Sequence, residues 1–186
     1  MKKKILALLM VGLMGLTMVA CGGGSNGGNS GLEQKKAKDV EFGDKVETED
    51  FTVDPVKGWT VEKNEEEGSS VDVDFSNDDV FATVSFMMSN EKMTQEEMDE
   101  EVKEIMKSNG EGEPKEIDPI TIDGVKLKGF EITEGTSESP EEMKSIMYYG
   151  FVKEKPFGII VVDGNNGQEN SKIAEIWSMA DTIKFK

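Results

Sequence analysis

The chain has 186 residues, with 21 basic residues against 38 acidic ones, no histidine and a formal net charge of −17. Every basic residue is a lysine. The lack of histidine excludes Ser-His and Cys-His nucleophile pairs, imidazole metal ligands and an imidazole base. The acidic excess argues against nucleic acid as a partner, because phosphate binding takes clustered cations.

Lys2, Lys3 and Lys4 form a positive start. From Ile5 to Ala20 the residues are apolar or small apart from the hydroxyl of Thr17, and Cys21 follows. A charged start, an apolar core and a small residue before the cut are the marks of a secretory signal. Sixteen helical residues span roughly 24 Å, short of a hydrocarbon core of about 30 Å, so an uncleaved membrane helix fits less well. Leu16-Thr17-Met18-Val19-Ala20-Cys21 resembles the lipobox of bacterial lipoproteins, with Met18 where Leu is usual. The resemblance implies cleavage between Ala20 and Cys21 and a diacylglyceryl group on the thiol. Two acyl chains anchor stably where one holds marginally. The expected location is the cell membrane, lipid-anchored on its extracytoplasmic face. Cys21 is the chain's one cysteine, so an intramolecular disulfide is excluded. Removing Lys2–Lys4 with the signal leaves 18 cations against 38 anions, a net −20. Such a surface has no affinity of its own for anionic lipid.

Residues 22–31 are a Gly/Ser/Asn run with nothing to bury, the composition of a flexible linker. Residues 32–47 are polar and mixed in charge and are expected to extend the tether. The expected organisation is a signal over 1–20, a tether over 21–48 and one domain over 49–186.

Within the domain, Phe51-Thr52-Val53 reads as a strand, Asp54-Pro55-Val56-Lys57-Gly58 as a turn, and Trp59-Thr60-Val61 as the next strand. Val71, Val73 and Phe75 alternate with Asp72 and Asp74, which predicts a strand with the aspartates on its wet face. Asn77-Asp78-Asp79 turns the chain, and Val80 to Met88 is rich in strand formers. Thr94-Gln95-Glu96-Glu97 is a capping box opening a helix. Met98, Val102, Ile105 and Met106 share one face of it, and Asn109-Gly110 ends it. Ile117–Ile122 and Val125–Thr133 flank Asp123-Gly124, a hairpin signal. Ser139-Pro140-Glu141-Glu142 reads as a short helix start with proline at its first position. Ile146–Lys153 and Phe157–Val162 flank a turn at Pro156, a second hairpin. A helix over about 171–180 gathers Ile173, Ile176, Trp177 and Ala180, and Ile183 and Phe185 suggest a closing strand. Hairpin connections and two amphipathic helices predict an α+β domain, an antiparallel sheet layered with helices.

Phe51-Thr52-Val53-Asp54-Pro55 followed by Gly58-Trp59-Thr60-Val61, the helix after the fourth strand, the Asp123-Gly124 hairpin and the terminal helix resemble the PsbP-like fold. That fold is shared by an extrinsic subunit of photosystem II, a Ran-binding nuclear import factor and many bacterial lipoproteins of unknown role. The resemblance covers nearly all of residues 49–186. It implies an αβα sandwich and binding or assembly roles. No family catalytic or metal residue maps onto this chain, so no catalytic residue, cofactor or metal ligand is carried over.

Asp72–Asp78 superficially suggests a calcium loop, but Asn77 and Thr83 stand where an EF-hand needs Gly and Glu. The stretch from Asp163 fails similarly, with Gln168 and Ala174. Met87, Met88 and Met93 form a loose thioether group without His or Cys support and read as core. Tyr148, Tyr149 and Trp59 could line a groove, but strand aromatics are more often core. No G-x-S-x-G, Walker loop or G-x-G-x-x-G is present. The expected function is a non-catalytic binding or assembly module with an envelope protein partner. The alternatives are a small-ligand carrier or sensor and, behind it, an acid-dependent hydrolase, for which no carboxylate pair can be nominated.

Overall fold

The computed structural model describes residues 37, 39–66, 70–77, 82–109, 114–136, 139–163 and 171–186. The signal, Ala20, Cys21 and the glycine-rich run lie outside the described residues.

The protein is α+β, mostly antiparallel sheet with two helices. Its main sheet contains β3 (Thr60–Glu66), β4 (Ser70–Asn77), β5 (Ala82–Ser89), β6 (Lys115–Ile122), β7 (Val125–Thr136), β8 (Ser139–Val152) and β9 (Lys155–Asp163). Their order is β3-β4-β5-β9-β8-β7-β6, with every pair antiparallel. Helix α1 (Gln95–Asn109) carries the chain from β5 to the far edge strand β6. From there β6 to β9 return as a meander that closes on β5. A three-stranded sheet joins β1 (Val46–Glu47), β2 (Phe51–Val53) and β10 (Lys184–Phe185), which follows α2 (Ser171–Asp181).

Period-two alternation divides the sheet into two faces, each with its own core. One gathers Val73, Phe75, Val84, Phe86, Phe157, Ile159, Val161, Ile146 and Tyr148 with Phe51 and Val53 of β2 and Ile173, Ile176 and Trp177 of α2. The other gathers Met87, Ile160, Val162, Met147, Tyr149 and Phe130 with Met98, Val102 and Ile105 of α1. Each helix therefore covers one face.

The local chemistry accounts for most boundaries. The Thr94 hydroxyl accepts from the Glu97 amide at 3.3 Å while Glu97 Oε2 accepts from the Thr94 amide at 2.9 Å, the reciprocal bonds of a capping box. Asp123 (φ 46°) and Gly124 (φ 82°) make the two positive-φ positions of a type I′ hairpin. The Trp59 amide donates to Val56 O at 3.3 Å across a turn whose third residue, Gly58, has φ 89°. In β6 one extra residue lies between Ile117 and Ile120, opposite Gly129 and Leu127. This bulge holds Pro119 and lets Ile117, Ile120 and Ile122 all pack on one core.

Four expectations are corrected. Ser139-Pro140-Glu141-Glu142 starts no helix; it begins β8, where a register shift against β7 between Glu134 and Thr136 accommodates the proline. The β8–β9 turn lies at Lys153-Glu154 (φ 48° and 72°), and Pro156 sits inside β9 opposite Phe151. The third concerns Asp72 and Asp74, taken up below. The chain also joins the fold ahead of residue 49. Ala37 N donates to Ala174 O and to Ser178 Oγ, Phe42 bridges Val56, and β1 pairs with β2. Residues 32–47 were expected as tether, yet apolar Val40 and Val46 pack on the first core.

Candidate functional site

Alternation along β4 sends Val71, Val73 and Phe75 into the first core and Asp72 and Asp74 to the α1 face of the sheet. Asp74 stands opposite Glu62 of β3 and Ser85 of β5; Asp72 stands opposite Asn64 and Met87. The Ser85 hydroxyl donates to Asp74 Oδ1. Asp72 is nine-tenths buried, and its Oδ1 has no hydrogen-bond partner.

The aspartates were expected on a wet face. Asp72 is buried instead and Asp74 is half-buried, because that face also carries the second core. Burial disfavours the charged form of a carboxyl, and a neighbouring negative charge does the same. Burial, then Asp74 and Glu62, push Asp72 up to about 7. Burial and Glu62 also raise Asp74, against the lowering effect of the Ser85 hydrogen bond. No ion pair among the described residues reaches Glu62, Asp72 or Asp74. Lys63, between the two β3 positions, points to the opposite face, where its ammonium donates to Glu47 O at 2.8 Å. These three carboxylates are thus gathered at an edge strand with no compensating cation among the described residues. A strongly perturbed acid of this kind marks a candidate functional group.

A second polar cluster has the opposite character. Asp99 of α1 accepts from Lys128 Nζ at 2.6 Å, Gln95 Nε2 at 2.6 Å and Tyr149 Oη at 3.0 Å. Burial raises the Asp99 carboxyl, but these hydrogen bonds outweigh it and hold the group below its ordinary range. Burial and Asp99 together raise the Tyr149 phenol. This satisfied network pins α1 to β7 and β8.

The remaining residues singled out in the sequence do not converge. Met87 and Met88 point to opposite faces, and Met93 packs only partly against the second core. Tyr148 and Tyr149 also face opposite ways. Tyr148 packs edge-on to Trp177 at 5.7 Å, and Tyr149 stacks on Phe130 at 6.0 Å. Trp59 donates its indole N–H to Glu175 Oε2 at 2.7 Å. Asp72–Asn77 is strand, and Asp78 and residues 164–170 lie outside the described residues. Among the described residues no group of three or more acidic or cysteine side chains is arranged to hold a metal ion.

Three further buried groups were missed in the sequence. Asn77 Oδ1, Glu131 Oε2 and Trp177 Nε1 have no hydrogen-bond partners, and Glu131 and Trp177 belong to the face that carries Tyr148. Only the alternation of β7 signals this in advance, since it places Glu131 on the same face as Leu127.

No family model matches the chain, and no curated protein matches it.

Proposed function

We propose that the protein is a lipid-anchored extracytoplasmic lipoprotein whose domain, of PsbP-like αβα form, is a non-catalytic binding or assembly module of the cell envelope. The anchor reading rests on the Lys2–Lys4 start, the apolar run and Ala20-Cys21. The module reading is carried by one observation. A helix covers each face of the main sheet, while β3 is an edge strand beside a carboxylate cluster that no cation among the described residues pairs with. Such a surface is suited to a partner more than to turnover. No helix among the described residues is long and apolar enough to cross a membrane.

The anchor is tested by fatty-acid labelling and membrane fractionation of the wild type and Cys21→Ser. Label on the wild type, and loss of both label and membrane retention in the variant, is the expected result. A Cys21→Ser chain that stays in the membrane fraction points to an uncleaved helix. The module reading is tested by cross-linking on intact envelopes; failure to recover a stoichiometric protein partner counts against it.

A small-ligand carrier is the second reading. It is favoured by the unpaired donor Trp177 Nε1 and the unpaired acceptor Glu131 Oε2 buried on one face, since a polar ligand would satisfy both.

A further inference from the structure

Strand β3 is an edge of the main sheet, seven residues long and in unbroken register with β4. It contains no proline and no bulge; its edge protection is charge, with Lys63 among Glu62, Glu65 and Glu66, which repels like-charged chains and leaves the backbone ladder itself geometrically intact. Thr60, Val61, Glu62, Lys63 and Asn64 are all exposed. The outer backbone groups of such a strand form a template for another chain. Directly behind it lie Asp72, with its unpartnered and buried Oδ1, and Asp74, with one oxygen held by Ser85.

We propose that this edge docks an extended, lysine-bearing segment of a partner protein, which adds a strand outside β3 and sets an ammonium against Asp72 and Asp74. The proposal rests on the binding-module reading and specifies its mode and its partner's chemistry. An added strand lies about 4.8 Å beyond β3 and therefore roughly 10 Å from β4. A lysine opposite Glu62 or Asn64 reaches inward by about 6 Å along its stem. That brings its ammonium over the β3 side chain to the β4 carboxylates. The stem lies along the exposed face while the charged head finds the acceptors.

Charge selects the occupant. Among the described residues no ion pair reaches the three carboxylates on this face, so a positive side chain relieves both their mutual repulsion and the unpaired acceptor. A second copy of the chain is a poor occupant. The β3 sequence carries Glu62, Glu65 and Glu66 against Lys63, and the whole protein is strongly acidic, so self-pairing brings like charges together. An inorganic divalent ion is disfavoured because the described residues present no group of three ligating side chains for it.

The test uses the full chain in detergent and three fluorescent nine-residue peptides. One alternates threonine and lysine, one replaces the lysines by glutamine, and one keeps the lysines but carries N-methyl groups on alternate backbone amides. The lysine peptide is expected to bind. The glutamine and N-methylated peptides should bind at least about tenfold more weakly, as should the lysine peptide to Asp72→Asn, because each change removes a charge pair or the backbone ladder. Glu62→Gln, an exposed change that leaves the fold alone, should weaken binding about threefold and carries the test if Asp72→Asn does not fold. Equal binding of the N-methylated peptide overturns strand addition, leaving bulk charge attraction. Binding unaltered by either substitution overturns the site. Calcium bound through Asp72, with no peptide bound, assigns it to an inorganic ion. An envelope partner cross-linked equally to wild type and Asp72→Asn removes this site but keeps the module reading; no cross-linked partner at all removes that reading.

Discussion

Asp74 of β4 and Glu62 of β3 are direct cross-strand partners, so two like charges share one position of an antiparallel pair. Like charges directly opposite destabilise a sheet. Asp72, two residues along the same face, adds a third carboxylate with a buried, unpartnered oxygen. Among the described residues, the sheet neighbours of Asp72 on its face include Glu62 and Asn64 on β3, Asp74 on β4, and Ser85 and Met87 on β5, none of them cationic.

The pH dependence follows. The Asp72 carboxyl titrates near 7 in the folded protein and near 3.8 when unfolded. Between these values the native state holds a proton that the unfolded chain has released, so the contribution to stability falls as pH rises. Asp99 and Asp123 are held low and act oppositely, losing their contribution as pH drops below the ordinary carboxylate range. Asp72→Asn should therefore raise stability at pH 8 by about 1–2 kcal/mol, allowing for solvent relaxation, and by less at pH 5. Urea unfolding of both chains at the two pH values checks this. An equal shift at both means that the ionisation of Asp72 is not the cause.

Tyr149→Phe removes the hydroxyl that donates to Asp99 at 3.0 Å and keeps the ring stacked on Phe130. Lys128 and Gln95 still hold Asp99, so the expected cost is about 1 kcal/mol. A chemical denaturation midpoint reads it. A loss above about 3 kcal/mol points to collapse of the stacked pair rather than loss of one hydrogen bond.

Lys153 and Glu154 form the β8–β9 turn with φ 48° and 72°. Side chains bearing a Cβ are strained there, by roughly 1–2 kcal/mol per residue. Glu154→Gly is therefore expected to raise the thermal midpoint, with a gain of about 1 kcal/mol after the added entropy of the unfolded chain. A lower midpoint contradicts the turn geometry.

At Gly129 an added Cβ meets Tyr148 Cε1 at 2.5 Å and Ile117 Cγ1 at 2.7 Å. The Tyr148 ring lies across β7 there and packs edge-on to Trp177. Gly129→Ala should cost about 1–3 kcal/mol through overpacking, read by thermal unfolding. Near-UV circular dichroism should report the displaced tyrosine and tryptophan, and an unchanged spectrum argues against the close approach.

Much of the fold was legible in the residues because its signals are local. The Thr94–Glu97 capping box, the Asp123-Gly124 turn, the alternation of Val71, Val73 and Phe75, and the face holding Ile173, Ile176 and Trp177 each depend on spacings of two to four residues. Pro140 misled for the same reason. Proline suits the first turn of a helix and an irregular strand equally, and only pairing between β7 and β8 decides between them. Lys153-Glu154 carries no turn signature; β8 and β9 impose it from either side.

The candidate site was not legible. The sequence alone determined that Asp72 and Asp74 share a face of their strand, that the chain lacks histidine, and that its single cysteine follows an apolar run. Only the tertiary structure decided that α1 would pack on the same face as the aspartates, that Glu62 would stand opposite Asp74, and that Lys63 would turn away to Glu47. Periodicity says which side chains point together. Whether that side meets water or another element depends on contacts between segments distant in the chain, and burial by those contacts makes Asp72 a perturbed acid.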